Sequence, residues 1–301
     1  MRISDIITDK SIKIVNEKEF KTLGILASKV DESICTFLDS EKYINDIKEN
    51  VSMLITTLDI YNRIKNEKNS YGFVIVPNPR IFFFELHNSL CNNNKYIREM
   101  FDTQIGDNCN ISDLTYISNK NVIIGNNVTI EEFVSIKENV IIGDNCKIGA
   151  GTVIGGTGFE FKHNNEEIIS VIHVGGVKID NNVEIQYNTT IDKAIYPWDN
   201  TVIGEYTKID NLNHIAHACK IGKRVMIPAG STIAGRVEIG DDSWIGINST
   251  IRNGMKIGEC ARTNMGAVVT KNVEDNESVT GNFAIEHSLF IKKLKKWSEN
   301  E

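Results

Sequence analysis

The stretch NHIAHACKIG at residues 213–222 holds the side chains best suited to chemistry. An imidazole titrates near neutrality, which suits His217 to general-base work. It stands two places after Ile215 in a repeat of six, an outward position, and so reads as exposed on a rigid face. Three hexads along, one coil further, lies Gly235. Its backbone N–H, unshielded by a side chain, is placed to stabilise an oxyanion beside the base. Base plus amide donor is the minimal apparatus for acyl transfer to an amine or hydroxyl. No serine or cysteine nucleophile is signalled. A solvated surface histidine, or one bonding across a subunit contact, is the other reading of His217. His214 reads as a substrate-supporting residue or a bystander. A His214/His217 zinc pair lacks a third ligand in this stretch, and no metal site is expected.

What positions these groups is a period of six. Isoleucine occupies every sixth place from 203 to 257 without a miss, and from 124 to 154 upstream. The same phase runs through Ile179, Ile185 and Ile191, with Pro197 filling the gap before Ile203. Such a period fits neither an amphipathic helix nor an alternating strand. It fits a solenoid in which each hexad makes one flat face and three hexads close a triangular coil. The isoleucine points inward. The residue four places on is mostly small or β-branched, as at Val134, Thr207, Cys219 and Ser249, to suit a tight interior corner. Glycine often follows the isoleucine, as at Gly125, Gly204 and Gly240, and is expected to free the backbone for a sharp turn.

Outside the repeat, VSMLITT (51–57) and YGFVIVP (71–77) read as buried strands, each followed by a helix. The predicted architecture is mainly β: an N-terminal α/β domain over 1–100, a β-helix over 101–278 and a C-terminal helix over 279–301. Residues 91–102 read as the linker. Between 155 and 177 the phase is lost, so GGTGFEFKHNNEEIISVIHVGGV must loop out, and a loop this long in a regular solenoid usually serves a site. Its Phe159 and Phe161 are placed to pack on a neighbouring subunit or a ligand. In the terminal helix Leu289, Leu294 and Trp297 line one face, with Lys292, Lys293, Lys295 and Lys296 on the others. Those lysines read as solvated capping, with docking of an acidic carrier protein as the sharper alternative.

The 301 residues carry a net charge of −7, which argues against nonspecific nucleic-acid binding. No apolar run reaches the length of a membrane span, and MRISDIITDK lacks the apolar run expected of a signal peptide. Six cysteines without CxxC spacing give no zinc or redox framework, and Cys146 and Cys219 fall at interior corner positions. These features point to a cytoplasmic protein. Within 201–271 nine basic side chains stand against six acidic ones, a surface that would attract an acidic carrier protein or the phosphates of coenzyme A.

The hexads resemble the hexapeptide-repeat proteins, whose coils form a left-handed parallel β-helix and whose members are mostly trimeric acyltransferases. More specifically, the chain resembles the UDP-3-O-acylglucosamine N-acyltransferases of the lipid A pathway. TFLDSEKY (36–43) is similar to that family's S-F-L-x-N-x-K-Y uridine-binding segment, and PNPRIFFFELHN to its N-P-x-x-x-F stretch. GGTGFEF stands where the family has G-x-D-G-F-G-F, TTIDKA where it has T-I-D-R-G, and DNLNHIAHACKIG where it has D-N-x-x-x-I-A-H-N-x-x-I-G. The resemblance implies His217 as catalytic base, Gly235 as oxyanion donor, and Phe37 and Tyr43 as the aromatics that stack uracil. It implies transfer of a 3-hydroxyacyl chain from acyl carrier protein to the amine of a UDP-linked 3-O-acylglucosamine, in a homotrimer and with no cofactor beyond the thioester donor. The departures are Ser40 for an asparagine of base recognition, Thr157 for the loop aspartate, Lys193 for an arginine, Ala218 for an asparagine and Gly254 for a second histidine. A coenzyme A-dependent transferase acting on another nucleotide-linked sugar, and a non-catalytic trimeric scaffold, are the other readings.

Overall fold

The structure, a computed structural model, describes residues 1–9, 11–66, 71–281 and 284–298, and for Trp297 and Ser298 the backbone only. Two-residue strands such as His214–Ile215 and Thr232–Ile233 recur once per hexad and stack in parallel. Among the described residues they form three sheets, of nine, eight and eight strands. Together these are the faces of the left-handed parallel β-helix expected from the hexads. The inward isoleucines from Ile124 to Ile257 are at most 3% exposed and form one continuous core. Each is worth about 1.5–3 kcal/mol of apolar burial. Cys146, Cys219, Thr207 and Ser249 fill the interior corners. At the open first coil Ile105 stands half exposed, with no coil beneath it.

The corner glycines act differently from the expectation. In the regular coils from Ile124 on, the left-handed backbone falls three places after the isoleucine, at Asn127, Asn145, Asn182 and Asn248 and also at Leu212, Ala218 and Arg236; it is missing after Ile154 and Ile191, where the chain leaves the coils. Asparagine tolerates that conformation best among residues with a side chain. The glycine directly after the isoleucine has no positive φ within the regular coils, Gly155 at the start of the loop being the exception. A Cβ on Gly204 would lie 2.4 Å from the Gly222 carbonyl oxygen, so glycine is required there because successive coils touch through backbone.

The N-terminal unit is a five-stranded sheet of β1 (Lys13–Val15), β2 (Thr22–Leu23), β3 (Ile34–Leu38), β4 (Val51–Thr56) and β5 (Gly72–Ile75), in the order β1-β5-β4-β3-β2. Only β1 runs antiparallel to its neighbour. Helices α1 (Leu58–Ile64) and α2 (Pro79–Leu90) follow β4 and β5 as expected. Asn78 caps α2 by accepting from the Ile81 N–H at 3.2 Å, and Pro79 opens its first turn.

Two segments leave the coils, and the N-terminal unit holds both. The first carries a hairpin of Phe161–Asn164 and Glu167–Ser170. Asn88 of α2 donates to the Ser170 carbonyl at 2.8 Å and accepts from the Ile172 N–H at 2.9 Å. The buried His87 reaches the Ile172 carbonyl at 2.7 Å. The second is residues 193–199, and here the expected Pro197 hexad is corrected. The strand ending at Ile179 pairs directly with the one ending at Ile203, and the bulky IYPW run is drawn out into the N-terminal core. Ile195 and Tyr196 are buried there, Trp198 donates to the Leu23 carbonyl at 2.8 Å, and Arg98 clamps the Pro197 and Asp199 carbonyls at 2.7 Å. A third helix, α3 (His287–Ser298), closes the described residues with Leu289 and Leu294 exposed; the Trp297 side chain lies outside them.

Two glycine substitutions separate close approach from backbone conformation. Gly204→Ala meets carbonyl oxygen and will cost about 2–3 kcal/mol. Gly254, at φ +72 with open space around its Cβ position, will cost about 1–2 kcal/mol on substitution by alanine, through conformation alone. Urea unfolding of both variants tests this, and an equal or smaller effect at Gly204 would contradict the packing account.

Candidate active site

His217 follows the strand His214–Ile215, at the corner whose left-handed residue is Ala218. The coil register sets it directly against Gly235: the Arg236 N–H donates to the His217 carbonyl at 3.0 Å, and the Gly254 N–H to the Gly235 carbonyl at 3.0 Å. A Cβ on Gly235 would lie 2.7 Å from His217 Nε2, so only glycine leaves room for the ring. At the equivalent hexad place other amides are capped by carboxylates, Lys223 by Asp241 at 2.8 Å and Ala229 by Asp210 at 3.2 Å. The Gly235 N–H has no such cap among the described residues and is free to donate.

The expected exposure of His217 is corrected: it is only 4% exposed. Its position does point away from the core, but the 155–177 loop returns over it. Gly158 lies so close that a Cβ there would come within 3.0 Å of the His217 side chain. His173 packs edge-on, with ring centroids 5.5 Å apart. Glu160 brings Oε2 to 3.4 Å from His217 Nε2. The Nδ1 atom is buried with no partner among the described residues. Burial, followed by the nearby Arg236 cation, pushes the His217 pKa down to about 4 against a smaller upward pull from Glu160. Burial likewise lowers His173. For Glu160 burial acts upward, but Arg236 at 3.2 Å and the bonded Lys162 outweigh it, holding the carboxyl below its usual range and therefore ionised. His217 is thus a neutral imidazole next to one carboxylate and two cations.

Glu160, Lys162 and Arg236 also form one wall of a cleft of about 600 Å³. The opposite wall is N-terminal and includes Phe37, Tyr43 and Arg80. Phe37 packs on Phe83 with centroids 5.0 Å apart, and the Arg80 guanidinium lies 5.6 Å from its ring centre. Tyr43 is 40% exposed. The fold therefore brings Phe37 and Tyr43 into the same cleft as the residues that touch His217. Ser40 is half-buried and is not part of the cleft lining. His214 belongs to a separate set: its Nδ1 lies 2.8 Å from Thr190 Oγ1 and its Nε2 3.7 Å from Asp192. Among the described residues no three His, Cys, Asp or Glu side chains converge as a metal site.

Sequence reasoning missed Glu160, Lys162, His173 and the role of Arg236. Glu160 alone left a trace, as a carboxylate in a loop motif where the resembling family has glycine.

Comparison with known proteins agrees with this architecture. Residues 121–156 and 200–235 match the bacterial transferase hexapeptide family (six repeats), and residues 236–271 the hexapeptide repeat of succinyl-transferase. The UDP-3-O-acylglucosamine N-acyltransferase of Dechloromonas aromatica is 43% identical over 86 residues, 29% of this chain and 24% of that protein. The Legionella pneumophila enzyme UDP-3-O-acylglucosamine N-acyltransferase 1 is 52% identical over 80 residues, 27% and 22% of the two chains. The chain thus spans about a quarter of the length of these curated relatives. Among solved structures, the UDP-N-acetylglucosamine acyltransferases of Arabidopsis and Campylobacter jejuni each align with a TM-score of 0.54. They are 26% and 28% identical and cover 60% of this chain, over 62% and 68% of their own lengths. No helix among the described residues is long and apolar enough to cross a membrane. Over its coils the chain carries hexapeptide repeats and is similar there in sequence to the UDP-3-O-acylglucosamine N-acyltransferases.

Proposed function

We propose that the protein is an N-acyltransferase of the lipid A type, moving a 3-hydroxyacyl group from acyl carrier protein to the amine of a UDP-linked acylated glucosamine. The observation that carries this reading is the neutral His217 imidazole packed against an uncapped Gly235 amide behind a cleft walled by Phe37 and Tyr43. The acceptor nitrogen attacks the thioester carbon while His217 Nε2 takes its proton. The Gly235 N–H donates to the oxygen as it becomes an oxyanion. Collapse breaks the C–S bond, and the leaving thiolate takes the proton back from the imidazolium. The fold's other contribution is exclusion of water from the base, which strengthens each of these interactions.

Phe37 and Tyr43 are assigned to the nucleobase, and Arg80, Lys162 and Arg236 supply positive charge for the diphosphate. The basic surplus of residues 201–271 favours an acidic carrier protein as donor. Assembly as a homotrimer is supported by apolar side chains standing exposed on the coils, Tyr206, Leu212 and Met265 among them.

A donor–acceptor matrix tests the reading. Turnover is expected with 3-hydroxyacyl carrier protein and UDP-3-O-acylglucosamine, and His217→Ala will lower kcat/KM by about 100-fold or more with the oligomer intact. Unchanged turnover in that variant would remove the mechanism. Turnover only with short acyl-coenzyme A and a different sugar would keep the mechanism and overturn the substrates.

The pH profile carries a separate prediction. Because the His217 pKa is pushed down to about 4, the ring stays in its base form across neutrality. The acid limb of kcat/KM will therefore fall below about pH 5 and not near the ordinary histidine value of about 6.5. Arg236→Gln removes a cation that disfavours the imidazolium, so the limb will move upward. A wild-type limb near the ordinary value would mean that His217 is solvated during turnover.

A further inference from the structure

We propose that Glu160 is the counter-ion of the imidazolium that His217 becomes during turnover, a positioning residue delivered by the loop and not by the coils. This rests on the acyl-transfer reading above. Three observations carry it. Glu160 Oε2 lies 3.4 Å from His217 Nε2, with the two side chains 10% and 5% exposed. The Nδ1 atom is buried without a partner among the described residues, so Nε2 is the nitrogen through which the ring meets charge. The carboxylate is itself fixed, by Arg236 at 3.2 Å and by Lys162.

The proton count explains why such a group is needed. As the C–N bond forms, the acceptor nitrogen loses a proton to Nε2, and a cation appears in the field of Arg236 and Lys162. Of the charged and titratable groups facing the ring, Arg236, Lys162 and His173 all oppose that cation, and Glu160 alone favours it. Glu160 stays ionised throughout. The proton returns to the thiolate as the C–S bond breaks, and the starting charges are restored. The loop is held for this task, since α2 fixes its return through Asn88 and His87.

The test uses the full chain and three variants: Glu160→Gln, Glu160→Asp and His217→Ala. Glu160→Gln is expected to lower kcat about 100-fold with KM within about twofold, and Glu160→Asp to recover at least a tenth of the wild-type rate. Loss of the anion leaves only groups that disfavour the imidazolium, so the acid limb of kcat/KM in Glu160→Gln will move to lower pH. Were Glu160 merely a pin for the loop, its loss would let water in, raising KM and moving the limb up toward the ordinary histidine range; that result overturns the proposal. Wild-type kcat in Glu160→Gln alongside an inactive His217→Ala would also overturn it, leaving the general-base reading intact. Full turnover in His217→Ala would sink both.

Discussion

Everything in this protein hangs on the requirement that each coil present its backbone in register to the next. The strands are two to four residues long, far too short to persist alone, and each is satisfied only by the coil above and the coil below, as Ile215 is by Ile191 and Ile233. Stability is then close to a sum of coil–coil interfaces. A residue added within a face would break the pairing on both sides, so extra chain can leave only where the coil can close without it. Residues 193–199 obey this rule, since the flanking strands still pair Ile179 with Ile203 across the excursion. The same rigidity sets His217 against Gly235. That contact is a consequence of register and would be lost with a slip of one residue.

The N-terminal unit turns this rigid rod into a site. Its helix α2 receives the 155–177 loop through the amide of Asn88 and the imidazole of His87, and its core receives Ile195 and Tyr196. Both excursions are thereby drawn toward the same unit. One result is the cleft, whose two walls come from different parts of the fold. The other is the covering of His217, since the loop held by α2 is the one that carries Gly158, Glu160 and His173. Lys29 adds a bridge at 2.6 Å to Glu238 on the coils. Being exposed, that pair fixes orientation more than it stabilises.

This division of labour explains what was legible in the sequence. The isoleucine ladder, the interior corners and the stacking of residue 217 on 235 all follow from a local period, and the period is written in the chain. The strands β4 and β5 were legible as short apolar runs. The two-residue β2 and the three-residue β1 lack enough length to show a pattern, and β3 was read only as part of a binding motif. The role of the glycine after the isoleucine was misassigned because sequence cannot distinguish a left-handed φ from a close approach: that glycine meets the close approach, while the left-handed place three positions on is held most often by asparagine. The Pro197 hexad looked regular in phase, yet Tyr196 and Trp198 gain more by burial in the N-terminal core than a narrow coil could give them. The burial of His217 was illegible for a stronger reason. Glu160 meets Arg236 across 76 residues, a contact that no periodicity encodes.

Burial poses a contradiction that the site's charge pattern resolves. A base removed from water binds its proton less readily, yet the same exclusion of water strengthens every donor aimed at a developing oxyanion. In the proposed acyl transfer the transition state carries both charges at once, negative on the thioester oxygen and positive on the imidazole. A wholly cationic surround would favour the first and penalise the second, and a wholly anionic one the reverse. Here two cations and one carboxylate flank a neutral ring, with the uncapped Gly235 amide beside it. The surplus positive charge favours the oxyanion, while the single carboxylate lies at the nitrogen that must accept the proton. Moving one proton within this arrangement changes its dipole without changing its net charge. In the proposed reaction, that is how a deeply covered histidine remains compatible with base catalysis.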